Sequence, residues 1–371
     1  MTATGPAGAT GRTGTGASGA GMLRGVRVVE LAGLGPAPFA SMLLADLGAE
    51  VVSVRRPGAA PTALTRGRPS LELDLKSPQG RDDLHALLGH ADVLVEGFRP
   101  GVLERLGLGP DDVQARHPRV VYARMTGWGQ TGPRALTAGH DLTYVAVTGA
   151  LHVAGRRGAV PAPPANLLGD FGGGGMYLAV AVLAALLQRE RGGPAEVLDV
   201  AVLDGTAYLT TMLQEYRALG RWSDEPASNR LDTGAPYYDV YPCADGRHLA
   251  VAALEEPFFL DLLDLLGIEA PLPFDRADPA SWPRLRELLA AAVATRTRDE
   301  WARLGLERDA CVAPVLDLAE AAAEPQVAAR RALRPRADGR GWWPSLPWGL
   351  APEPGSAVTD VAAVLAAWGA G

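Results

Sequence analysis

Residues 26–54 constrain this chain more than any other stretch. Val26-Arg-Val-Val-Glu-Leu31 is a short β-branched run that ends in Gly33-Leu-Gly-Pro36. Residues 37–47 then carry apolar side chains at helical spacing and stop at Gly48, and Ala49-Glu-Val-Val-Ser-Val54 is a second β-branched run. Strand, glycine turn, helix and strand in this order form a βαβ unit, which implies an α/β chain with a parallel, doubly wound sheet. The turn never completes G-x-G-x-x-G and no strand-end acid follows at the expected place, so no dinucleotide cofactor is expected.

The alternation continues, with strands expected at 71–75, 93–96, 120–125 and 196–200 and helices at 79–88, around 102–106 and from the last strand through Leu219. Arg55, Arg56, Arg66, Arg68, Arg99 and Arg105 fall at strand ends or in the loops after them, and in a parallel sheet those ends form the ligand crevice. Lys76 is the only lysine, so any phosphate held here is met mainly by arginine forks and backbone N–H groups. A net charge of −7 leaves no broad basic face for nucleic acid, which is not an expected partner.

Two further stretches carry ionisable groups. Gly169-Asp-Phe-Gly-Gly-Gly-Gly175 precedes an apolar run at 176–187 that is expected to be a buried helix. One reading puts unshielded N–H donors at a helix start, where they stabilise negative charge beside Asp170. The other makes Asp170 a residue near a helix cap and the glycines a means of close packing. His140 alone of six histidines follows a glycine-rich loop, residues 127–133, and sits beside an acid, although a single histidine is usually structural.

Residues 1–21 lack the apolar core of a signal peptide and are expected to be a flexible extension; the run at 176–187 is too short to span a bilayer. A cytoplasmic protein with no membrane partner is therefore expected. Cys243 and Cys311 show no metal-ligand spacing and read as reduced core thiols, with no metal site. The domain reading is a large domain over 22–220, a polar linker at 221–236, a smaller α+β domain over 237–324 and a return segment over 325–371. The small domain opens with a hairpin of 237–241 and 247–253, followed by helices at 258–266, 282–295 and 298–306. A short helix at 358–368 closes the chain by packing back on the first domain.

Several motifs go beyond pattern: Val28-Val-Glu-Leu-Ala-Gly-Leu-Gly-Pro36, Ala45-Asp-Leu-Gly-Ala-Glu-Val-Val52, Asp74-Leu-Lys-Ser77, Glu96-Gly-Phe-Arg-Pro-Gly101, Arg124-Met-Thr-Gly-Trp-Gly-Gln130, Gly139-His-Asp141, Gly169-Asp-Phe-Gly-Gly-Gly174, Gly234-Ala-Pro-Tyr-Tyr-Asp239 and Asp309-Ala-Cys-Val312. Through them the chain, from about Leu23 to Trp368, resembles the family III CoA-transferases, and within them the branch that racemises α-methylacyl-CoA thioesters. The resemblance implies an interlocked homodimer whose chains each have a Rossmann-like parallel-sheet large domain and a smaller α+β domain. The active site would lie between the large domain of one subunit and the small domain of the other.

By resemblance, His140 and Asp170 are the two bases, and Glu255 pairs with the histidine; Glu256 follows where relatives carry proline, and either acid fits that role. The implied CoA contacts are Arg56, Leu73, Asp74, Leu75, Lys76, Arg99, Arg105, Ala138, Gly139, Asp141, Leu142 and Thr143, with Arg56 and Arg99 at the nucleotide end. Coenzyme A is then part of an acyl-CoA thioester substrate, and no separate cofactor is implied. Inverting a carbon next to a thioester carbonyl requires a proton to leave one face and another to return on the opposite face, so two bases are needed. The alternative is CoA transfer with Asp170 as acyl nucleophile, in which His140 has no part. A scaffold recruited for another enolate reaction, or for acyl-CoA binding alone, also fits.

Overall fold

A computed structural model describes residues 21–60, 62–346 and 358–369. The extension expected at 1–21 lies outside them, apart from Gly21. So do residues 347–357 of the return segment.

Each β-branched run of the first domain forms a strand: β1 (Arg27–Leu31), β2 (Glu50–Arg55), β3 (Ser70–Glu72), β4 (Val93–Glu96), β5 (Val121–Thr126) and β6 (Val197–Ala201). They make one parallel sheet in the order β3-β2-β1-β4-β5-β6. The strands are valine-rich because helices cover both faces. On one face Val28, Val51, Val93 and Val121 meet α1 (Pro36–Asp46). On the other, Val29, Val52, Leu94 and Tyr122 meet α2 (Pro78–Leu88) and α3 (Pro110–Arg116). The strand order reverses between β1 and β4, and the crevice outside their carboxyl ends is where such a sheet binds ligands.

The chain continues through α4 (Asp141–Val147) and α5 (Ala150–Val153) into the glycine segment, which departs from the first of its two readings. Leu167–Gly175 is a π-helix that runs directly into α6 (Met176–Glu190), giving one helix of 24 residues. Bonds spanning five residues, beginning with Phe171 N–H to Asn166 O at 3.3 Å, take up the backbone donors. The glycines instead admit α7 (Val202–Leu209), whose partner helix α8 (Thr211–Ala218) follows. A Cβ at Gly173 would lie 2.3 Å from Thr206 Oγ1, and one at Gly205 would lie 1.8 Å from Gly173 O. Close packing, not anion binding, is what these glycines serve. The whole helix is long and apolar enough to cross a membrane, which the run at 176–187 alone was not. In this fold Leu178, Ala179, Val182 and Leu186 bury one side of it in the core beneath the sheet.

The small domain has the expected hairpin, β7 (Tyr238–Pro242) and β8 (His248–Ala252). An unanticipated β9 (Val312–Pro314) extends it. Three helices, α9 (Glu256–Leu266), α10 (Trp282–Val293) and α11 (Arg298–Gly305), close its core around Tyr237, Phe259 and Trp301. Both cysteines are free, but only Cys243 is in that core. Cys311 is exposed, which corrects its reading as a core thiol.

Polar side chains at 221–236 bond to backbone and to one another and so pin the linker: the Asn229 amide donates to Ser223 O at 2.9 Å and to the Asp232 carboxylate at 2.7 Å. The return segment forms α12 (Pro325–Ala329) and a hairpin of β10 (Leu333–Pro335) and β11 (Trp342–Pro344). Its last helix, α13 (Val361–Ala367), sends Val364 into the α2 face of the sheet together with Trp368.

Candidate active site

Two adjoining cavities open at the switch point between β1 and β4. The first, of about 540 Å³, is lined by Ala32 and Gly33 after β1, by Arg56 after β2, and by Leu73, Asp74, Leu75 and Lys76 after β3. The second, of about 430 Å³, is lined by Gly35, Arg99, Trp128, Ala138, Gly139, His140, Asp141, Tyr144 and Asp170. Leu34 and Phe98 line both, so one elongated ligand can occupy the pair.

The arginines of the strand ends divide into two groups. Arg68 is fully buried against Glu30 at 2.6 Å, Arg66 is paired with Asp46, and Arg55 reaches Glu72 at 3.2 Å. Of these three, Arg55 and Arg68 line the first cavity with their charges already paired. Arg56, Arg99 and Arg105 are exposed, but only Arg56 lines the first cavity. Arg99 lines the second, together with His140 and Asp170. Arg105 lines neither, nor do Leu142 and Thr143. The Thr143 hydroxyl accepts from His140 N–H at 3.1 Å and donates to His140 O at 2.7 Å, so it caps α4.

His140 is exposed at the N-cap of α4, in extended backbone. The Asp170 carboxylate is half-buried in the π-turn and sits against Gly35, the N-cap of α1. The φ of +71° there calls for glycine, and a Cβ would crowd Asp170 Oδ2 at 3.0 Å. Burial pushes the Asp170 carboxyl above the usual carboxylate range. A hydrogen bond from Asn166, at 3.5 Å, and the charge of His140 oppose the shift, and Asp141 reinforces it. Among the described residues the N–H groups of Asp141 and Leu142, the first two of α4, have no acceptor. Of the two, Asp141 lines this cavity, so its N–H is an open backbone donor there.

Residues 23–360 match CoA-transferase family III. The chain belongs to that family. It is 46% identical over 301 residues to alpha-methylacyl-CoA racemase of Mus musculus, covering 81% of this chain and 79% of the mouse protein. It is 43% identical over 300 residues to alpha-methylacyl-CoA racemase of Homo sapiens, covering 80% and 78%. Its fold matches the crystal structure of a CAIB/BAIF family protein from Brucella suis with a TM-score of 0.77 at 25% identity, over 94% of this chain and all of the other.

Within this family III chain, Glu255 is not brought to His140. It occupies the N-cap position of α9 on the small domain and lines a third cavity, of about 580 Å³, with Tyr216, Arg221, Trp222 and Arg230. Glu256 is paired with Arg276 at 2.8 Å, which leaves Glu255 as the open acid of the two. Tyr144 and Asn166 escaped the reading of the sequence. The Tyr144 ring stands edge-on to Trp128 at 4.7 Å and fills the space where a Cβ at Gly127 or Gly139 would fall, 1.9 Å and 2.5 Å from it. Those two flanking glycines were the available signal.

Proposed function

We propose that this family III protein is an isomerase that inverts the α-carbon of 2-methylacyl-CoA thioesters by 1,1-proton transfer. The observation that carries this is the convergence of His140 and the half-buried Asp170 on one cavity, continuous with a second lined by Arg56 and Lys76. The likeness to two racemases supports it. Arg56 and Lys76 meet the phosphates, the pantetheine arm crosses Leu34 and Phe98, and the thioester lies between the two bases. One base removes the α-proton to leave a planar enolate, and the other, already protonated, delivers its proton to the opposite face. The upward shift caused by burial favours proton uptake by Asp170, and His140 is the partner base on the other face. The N–H of Asp141, which lines this cavity without an acceptor, is the donor for the enolate oxygen, worth ~3 kcal/mol.

One enantiomer of 2-methylacyl-CoA incubated with the protein in D2O is expected to gain α-deuterium and lose optical purity together. Optical purity retained without exchange overturns the reading. A covalent acyl or CoA adduct on Asp170 replaces it with CoA transfer.

The same reading makes the working unit a homodimer whose small domain brings Glu255 of the partner subunit to His140. Supporting it, Met176, Val180, Tyr208, Leu209 and Met212 on α6 to α8 are exposed apolar side chains. Light scattering is expected to give twice the chain mass of 38.7 kDa at micromolar concentration, and a monomer mass excludes the dimer.

A further inference from the structure

The segments that carry the two bases are joined by one direct link. Asp141, the residue after His140, reaches across the cavity wall so that its Oδ1 accepts the Asp170 N–H at 2.6 Å. That N–H is an orphan of the π-helix, whose first internal bond begins one residue later at Phe171. The approach is close enough to dictate sequence elsewhere, because a Cβ at Gly169 would lie 2.3 Å from the same oxygen. On the other side, α4 is held in register with His140 by the reciprocal bonds of Thr143. His140 and Asp170 are thus separated by one peptide unit and one hydrogen bond.

We propose that Asp141 is a positioning residue which sets the separation of the two proton-transferring groups, in place of the CoA contact that resemblance assigned to it. The inference rests on the racemase reading. Two-base inversion places each base within hydrogen-bond reach of the same carbon on opposite faces, so a drift of one base relative to the other impairs the proton step more than binding. Misplacement by ~1 Å is enough for losses on the order of 10²-fold. Asp141 also brings a negative charge to Asp170. The titratable groups around Asp170 are His140, Asp141 and Tyr144 from the α4 segment and Arg99, which lines the same cavity; Asn166 and Gly35, on the other sides, are uncharged.

Asp141→Ala removes the link and the charge; Asp141→Asn keeps an acceptor oxygen and removes only the charge. In single-turnover exchange, Asp141→Ala is expected to slow the proton step by ~10²-fold with KM within about threefold of the parent. Asp141→Asn is expected to recover most of that loss. It should also move the acidic limb of kcat/KM to lower pH for the enantiomer whose proton goes to Asp170, because losing a like charge lowers the pKa of that base. Raised KM with an unchanged proton step in Asp141→Ala makes Asp141 a CoA contact and overturns the proposal. Equal losses in both variants, or an unshifted acidic limb in Asp141→Asn, overturn it as well. Should Asp141→Ala fail to fold, as read by circular dichroism, the limb in Asp141→Asn alone decides. The parent protein is the control: if it does not exchange the α-proton, the racemase reading fails before this one is tested.

Discussion

Asp170→Ala is expected to lower α-proton exchange by on the order of 10³-fold, within the 10²–10⁴ that a positioned acid or base contributes, and to do so unequally for the two enantiomers. The carboxylate lines the cavity beside Gly35 at the N-cap of α1, whereas His140 lines it from the start of α4. On the proposed two-base reading, each enantiomer surrenders its proton to a different group. His140→Ala should show the opposite bias. Steady-state turnover blurs this asymmetry because both directions cross the same enolate and use both groups, so single-turnover exchange in D2O is the appropriate measurement. Equal loss from both enantiomers in both variants would contradict the assignment of one face to each base. Full retention of exchange in Asp170→Ala would remove the carboxylate from the chemistry altogether.

Gly205→Ala is expected to destabilise the large domain by ~4 kcal/mol or more, near the limit of what single substitutions do, and to leave little soluble protein. The added methyl would lie 1.8 Å from Gly173 O and 2.9 Å from Tyr177 Cδ2. Backbone meets backbone there, so no rotamer change relieves the clash, and α7 would have to separate from the π-turn that carries Asp170. Gly33→Ala is the comparison, since nothing lies within 4 Å of its added Cβ; it should change stability by less than ~1 kcal/mol. Urea unfolding of the two variants measures the difference. Comparable stability in both would mean that the glycines of this helix are not there for packing.

That contrast also shows why the glycine run was open to two readings. Four glycines beside an aspartate look the same in sequence whether their N–H groups face a ligand or a neighbouring helix. The distinction lies in α7, about thirty residues further on, whose Gly205 comes into contact only after the domain has closed. The arginines behaved similarly. Arg55, Arg66 and Arg68 looked as available as Arg56, and what removes them from ligand duty is Glu72, Asp46 and Glu30, acids on separate elements. β9 was missed because three residues carry no periodicity of their own, and its pairing partner β8 lies some sixty residues earlier.

The sequence by itself determined the parallel sheet, the hairpin of the small domain, the family and the two candidate bases. Those features rest on local signals: valine runs that suit strands buried on both faces, turn residues between them, and short motifs read in one place. The tertiary structure alone decided that Asp170 lies in a π-turn continuous with α6, that Asp141 meets its backbone, that Arg99 lines the cavity of the two candidate bases and that Glu256 is already paired. Each of these depends on which distant side chain arrives within a few ångströms, and hydrogen bonds and ion pairs act only over that range.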